Sequence, residues 1–377
     1  MYIDTLHFTG ESWTPIAQEI PDKSAVDIVF LFGESDTLKH EANYSEILSL
    51  YPGAQVVGAS SSGNIMGPEI SGESIVATAV KFEKCSVAVS SVDINENDDL
   101  EKLSQTLIER LPQQHLKHVF VMSDGLNVNG SNLTRGLNHI NSLFTISGGM
   151  AGDGQRFQET WVVHKGHSCQ NQIVAVGFYG DDLTVSTGCY AGWSSFGAER
   201  LVTRSQGNIL YELDGRPALD LYKEYLGDFA SDLPYSGMRF PLNIKADQDS
   251  PEVIRTLLAI DEQARSITFA GDVPQGYIAR LMKPDLDVLI EGAEKAAQDI
   301  RQVKDRRGLA LVVSCVGRRA VMQELAEEEL DAISETLGDK VQLTGFYSYG
   351  EIAPMQGDAM YCQLHNQTMT LTTLYEL

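Results

Sequence analysis

A chain of 377 residues that is 43% hydrophobic is long enough to bury a large core and suits two domains better than one. Its 28 basic residues stand against 52 acidic ones, a net charge of −24 that would repel phosphates and argues against nucleic acid and anionic membranes as partners. No run approaches the roughly 18–20 apolar residues of a membrane-spanning helix, and MYIDTLHFTGESW has neither region of an export signal. Its five cysteines are scattered without a CxxC, so reduced thiols in the cytoplasm are expected.

In chain order, DIVFLF (27–32) and SIVATAVKF (74–82) read as buried strands, being short and rich in Val, Ile and Phe. LEKLSQTLIERL (100–111) places Leu100, Leu103, Leu107 and Leu111 on one helical face. HVFVM (118–122) is again a strand, LTRGLNHINSLF (133–144) a helix, and Phe157 to Tyr190 a set of hairpins punctuated by HKGHSCQNQ and YGDD. The pattern breaks around Ser194–Gly207 and restarts as a helix that Asp214 and Pro217 open and Gly227 ends. The domain boundary is placed there, giving 1–195 and 196–377. Asp287 to Val303 is helical, LALVVS (309–314) a strand, and 320–338 a helix with Met322, Leu325, Ile333 and Leu337 on one face, an acidic back and Gly338 as its C-cap. The alternation predicts an α/β fold: two related α/β domains with mixed sheets built from repeated βαβ-like units.

QVVGASSSGNI (55–65) and QLTGFYSYGEI (342–352) share their glycines in fixed register: Gly58 with Gly345, Gly63 with Gly350. A looser third copy is TISGGMAGD (145–153). Each follows a strand and a helix, with strand end and second glycine 32, 30 and 37 residues apart (Leu31–Gly63, Met122–Gly152, Val313–Gly350), spacings that suit one βαβ unit. Such turns collect at the carboxyl ends of strands, where ligands bind in α/β folds. That makes Ser60, Ser62 and Gly63 in the first copy, Asp124 after HVFVMS, Arg318 in GlyArgArg, and Tyr347, Tyr349 and Glu351 in the C-terminal copy (342–352) candidate ligand contacts. Tyrosines would stack or hydrogen-bond, Glu351 would meet an amine, and Arg318 would grip a carboxylate. Each has a purely structural alternative: a turn former, a packed tyrosine, or a salt bridge to the acidic helix. HKGHSC (164–169) is too short and turn-like for a metal site.

VVGASSSG, SDGL, SGGMAGD, LDGRPALDLY, SCVGRR, GFYSYGEIAP and HNQTMTL, in that order, resemble the FIST family over nearly the whole chain. The resemblance implies a FIST N-terminal domain followed by a FIST C-terminal domain, and a sensory module of bacterial signal transduction that binds small ligands such as amino acids. Some stand-alone members are haem-containing nitric-oxide sensors acting on a partner histidine kinase. By the same resemblance Arg239 joins the candidate ligand contacts, and His365 becomes one that would ligate haem iron. With no GxSxG, HExxH, P-loop or GxGxxG present, no enzymatic activity is expected. The alternative is an enzyme acting on a small metabolite in the same pocket, through Asp124 or Glu351.

Overall fold

A computed structural model describes residues 1–96, 98–140, 144–303, 305–355 and 358–377. The first unit comprises β1 (Tyr2–Phe8), β2 (Trp13–Ala17), β3 (Ile28–Glu34), α1 (Ser35–Leu38), α2 (Ser45–Leu50), β4 (Gln55–Ser61), the hairpin β5 (Asn64–Met66) and β6 (Glu69–Ser71), and β7 (Ile75–Lys81). The second repeats the plan with β8 (Ser86–Asp93), α3 (Leu100–Glu109), β9 (Leu116–Ser123), α4 (Gly130–Leu137), β10 (Thr145–Met150), the hairpin β11 (Val162–His164) and β12 (His167–Cys169), and β13 (Gln172–Tyr179). Residues 141–143 of the expected 133–144 helix lie outside the described residues. The third unit opens with β14 (Leu183–Tyr190), where an extra layer is inserted.

That layer is an antiparallel sheet of β15 (Ser194–Gln206), β16 (Ile209–Leu213), β17 (Arg216–Pro217), β18 (Leu242–Lys245), β19 (Val253–Arg255), β20 (Leu257–Asp261), β21 (Ser266–Phe269) and β22 (Ile278–Lys283). It packs on α5 (Ala218–Leu226), which Gly227 ends at φ 56° as its position predicts. The chain then resumes the third unit with α6 (Leu286–Gln298), β23 (Gly308–Cys315), α7 (Val316–Met322), α8 (Ala326–Leu337), β24 (Val341–Ser348), the hairpin β25 (Gly350–Met355) and β26 (Asp358–His365), and β27 (Met369–Glu376). The expected 320–338 helix is broken: Gln323 stands at φ 53°, which turns the second segment and leaves Leu325 44% exposed instead of on the buried face.

The inner pair of each unit, β3–β4, β9–β10 and β23–β24, is parallel, so each needs the crossover its helices provide. The inner strands are covered on both faces, which is why β23 is buried at every residue and reads as an unbroken apolar run. Each hairpin leaves its own sheet and joins the next: β5–β6 pairs β24, β25–β26 pairs β10, and β11–β12 pairs β4. The three sheets are therefore locked in a ring, β12-β11-β4-β3-β7-β1-β2, β26-β25-β10-β9-β13-β8 and β6-β5-β24-β23-β27-β14. The threefold repeat expected from the glycine turns is present. Their inner faces meet in one core, where Phe32 stacks on Phe346 at 4.9 Å and Phe30 meets Phe120 edge-on at 6.3 Å. Burying each such ring contributes roughly 1.5–3 kcal/mol.

Candidate functional site

The three strand ends converge and satisfy one another. Ser62 N donates to Tyr347 O (2.8 Å), Tyr349 N to Met150 O (3.1 Å) and Gly152 N to Ser60 O (2.9 Å), a cyclic set of backbone bonds. The backbone amides of these turns, where the sequence places a ligand, are thus spent on the interlock. Ser60 Oγ accepts from Trp161 N at 2.9 Å, and Ser62 Oγ accepts from Gly154 N at 3.1 Å. Gly63 lies at φ 143°, and a Cβ there would come within 2.5 Å of Arg319 Nη1. Asp124 accepts from the amides of Leu126 and Asn127 (2.8 Å each) and Asn171 (3.0 Å), and is buried. Tyr349 stacks on Phe157 at 4.5 Å and its hydroxyl bonds Asp153, whose carboxylate also holds the amides of Phe157, Gln158 and Glu159. Burial raises the pKa of Tyr349, so it stays a donor.

Asn64 and Glu351 occupy equivalent places in two of the units. Ser61 Oγ donates to Asn64 Oδ1, and the Asn64 amide donates to Ser74 O and Oγ (3.0 Å each). Correspondingly, Ser348 Oγ donates to Glu351 Oε1 (2.7 Å), and Thr368 N and Oγ1 donate to Glu351 Oε2 (3.1 and 2.8 Å). The first copy is neutral; the third holds a carboxyl with no exposed surface, pushed up to about 7 by burial against the bonds from Ser348 and Thr368. A folded-state pKa raised from 4.5 to about 7 means that Glu351 favours folding fully below about 4.5, and that this contribution is lost as pH rises through 7. Glu351→Gln removes the titration. Between pH 4.5 and 8 the variant should gain on the native chain by up to about 3 kcal/mol, at 1.4 kcal/mol per unit. Urea melts of both proteins across that range read the difference; a flat difference would contradict the assignment.

Arg318 and Tyr347 belong to a separate buried cluster. Arg318 Nε and Nη2 donate to Glu329 Oε2 (3.0 and 2.8 Å), Nη2 also to Leu289 O (2.8 Å), and Nη1 to Ala191 O. Glu329 Oε1 takes the Tyr347 hydroxyl (2.8 Å) and Ser314 Oγ (3.0 Å). The Arg318 fork thus meets a carboxylate of its own chain, while Arg239 is exposed on the inserted layer.

The large concavity lies elsewhere. A cavity of about 1110 Å³ opens between the third unit and the inserted layer, walled by the end of β14, Trp193, α6, residues 249–254 and the β26–β27 turn. Of the sequence candidates, only His365 lines it. The turn His365-Asn366-Gln367-Thr368 is buried, yet His365 Nε2, both amide atoms of Asn366 and Gln367 Oε1 have no hydrogen-bond partner among the described residues. Burial lowers the pKa of His365 to about 4 with help from Arg255, against a hydrogen bond to the Ala353 carbonyl, so the ring is neutral at pH 7. Nε2 is itself buried and has no partner among the described residues, so the ring carries an unanswered polar atom in a turn that lines the cavity. Trp193, buried and donating Nε1–H to Gln367 O at 3.0 Å, was not singled out from sequence; nothing in its local wording marks it. Among the described residues no group of three or more His, Cys, Asp or Glu could hold a metal ion, and no helix is long and apolar enough to cross a membrane.

Comparison with known proteins matches the FIST N domain to residues 27–216 and the FIST C domain to residues 218–354. The uncharacterized protein Mb0898c of Mycobacterium bovis is 28% identical over 230 residues, 56% of each chain. The uncharacterized protein MJ1623 of Methanocaldococcus jannaschii is 24% identical over 261 residues, 62% of this chain and 49% of its own. The chain thus spans about half the length of these curated relatives. Among solved structures, cyanuric acid hydrolase from A. caulinodans aligns over 94% of this chain and 91% of its own, with a TM-score of 0.35 and 7% identity. A second cyanuric acid hydrolase aligns over 100% and 99%, with a TM-score of 0.34 and 8% identity. The expectation of no enzymatic activity is corrected by these neighbours, which are enzymes, although a likeness so distant brings neither substrate nor reaction to this chain. With both domain types matched in order and together spanning most of its length, the chain belongs to the FIST family, whose domains are small-ligand-binding sensory domains of signal transduction.

Proposed function

We propose that this chain is a cytoplasmic sensor that binds a small ligand in the cavity beside β14 and passes its occupancy to a partner signalling protein such as a histidine kinase. One observation carries the reading: three consecutive buried residues, 365–367, hold polar side-chain atoms without a hydrogen-bond partner among the described residues, and His365 at their head lines the cavity. An orphaned buried polar atom costs roughly 1–3 kcal/mol, a cost a ligand would relieve. The turn also joins β26, in the second unit's sheet, to β27, in the third's, and Trp193 ties it to the inserted layer. A ligand preferring one arrangement of these layers would shift their populations. A thermal-shift screen of amino acids and related metabolites tests this. A hit should weaken about tenfold or more in His365→Ala, with the circular dichroism spectrum unchanged; hits indifferent to His365 would sink the proposed site.

A second reading is haem, favoured by the neutral imidazole of His365 at a cavity large enough for it. His365 would hold the iron and Lys295 would meet a propionate, although Asp249, Glu252 and Asp299 at the same cavity disfavour the other. Haem there would supply an iron centre able to bind nitric oxide. The absorbance spectrum decides: a Soret band on adding haem, lost in His365→Ala and kept in His164→Ala, supports it, and its absence in the native chain rules it out.

A further inference from the structure

We infer that the cavity takes an organic cation, a protonated amine on a short apolar body, and not an anion. The inference rests on the reading that this cavity is the ligand site. His365 lines the cavity and is only 8% exposed, and its buried Nε2 has no partner among the described residues. Burial keeps the imidazole neutral, and a neutral ring carries one nitrogen able to accept a hydrogen bond.

The rest of the lining complements a donor in the same way. Asp249 and Asp299 are exposed at the cavity and have no ion-pair partner among the described residues. Glu252 is already engaged, accepting from Asn243 Nδ2 at 2.6 Å and lying 3.6 Å from Lys245 Nζ, so Asp249 and Asp299 are the carboxylates left for a ligand. The cation that lines the cavity, Lys295, sits 3.6 Å from Glu291 and 5.2 Å from the centre of the Tyr190 ring, so its charge is already answered. Tyr190, with Lys295 already over its ring, and the buried Trp193 also line the cavity, and aromatic rings attract ammonium groups more than carboxylates. Acceptors, unpaired carboxylates and π-faces on one wall set favour a ligand that donates and is positive. The net charge of −24 adds a long-range field that draws such ligands in.

Isothermal titration of the full chain with 1,4-diaminobutane and spermidine, against succinate and glutamine, tests the inference. The expected result is binding of the amines, weakening as salt rises, with no binding of succinate. Asp249→Asn with Asp299→Asn, and separately His365→Ala, should each weaken amine binding tenfold or more. Amine binding that is unchanged in both variants overturns the inference, since it would then be adventitious surface attraction. Succinate or glutamine binding through His365 while amines fail overturns the charge assignment and leaves the site standing. If none of the probes binds and the wider metabolite screen is also blank, the site itself falls.

Discussion

Glu329→Ala is expected to cost about 3–5 kcal/mol of stability, because it leaves the Arg318 guanidinium buried without its counter-ion. Both side chains are wholly inaccessible, at 0% exposure. Removing the carboxylate strips the two bonds of 3.0 and 2.8 Å to Arg318, the bond from the Tyr347 hydroxyl and the bond from Ser314. Tyr347 does not readily answer by ionising, since burial, the largest cause of its raised pKa, persists when Glu329 is gone. Arg318 would keep its backbone partners Ala191 and Leu289, which carry no net charge. Arg318→Met should cost a similar amount, for the converse reason. The double variant Arg318→Met, Glu329→Leu should recover most of the loss, because a buried ion pair replaced whole by apolar groups is often neutral. Urea unfolding at pH 7 reads all three, and a loss below about 1 kcal/mol in Glu329→Ala would show that the pair is hydrated.

That cluster shows where sequence reasoning stops. A Gly-Arg pair at a helix start reads as an anion grip because the nearest acidic helix looked solvated on one back. Yet Glu329 stands seven residues after Met322 and four before Ile333, on the apolar face itself, and is buried there; what the spacing did not show is the break at Gln323, which turns Leu325 outward. A backbone φ of 53° at a single glutamine leaves no trace in hydrophobic spacing. The repeat itself was legible, because Gly58 and Gly345 answer a need that every copy has. The exchange of hairpins between sheets was not, since local pairing chemistry is the same whichever sheet receives the strand. His365 was visible in its motif. The cavity it lines was not, because residues 249–254 and α6, more than 60 positions earlier in the chain, build the facing walls.

Gly345→Ala should prevent folding or cost more than about 4 kcal/mol, a loss reserved for a few mechanisms of which steric overlap in the core is one. A Cβ at Gly345 would lie 1.8 Å from Val312 O and 2.7 Å from its carbonyl carbon, both on the parallel neighbour β23. Backbone cannot yield as a flexible side chain does, so β23 and β24 would have to part along their shared ladder. The same obstruction stands at Gly58, 2.0 Å from Leu31 O, and at Gly148, 1.9 Å from Val121 O, where φ of 148° adds a backbone penalty. Three glycines each facing the carbonyl of their inner partner strand mark the points where the sheets pinch toward the common axis. The cyclic bonds of Ser62, Tyr349 and Gly152 follow four residues later in each copy. Opening one pinch therefore loosens the ring as well as one strand pair. Gly72→Ala is the control: nothing lies within 4 Å of its Cβ position, and its effect should stay within about 0.5 kcal/mol. Soluble yield, circular dichroism and thermal melting of the two variants compare them directly. A folded Gly345→Ala with a melting temperature near the native one would mean that β23 and β24 tolerate a wider spacing, and that the three-sheet ring does not depend on close approach at its glycines.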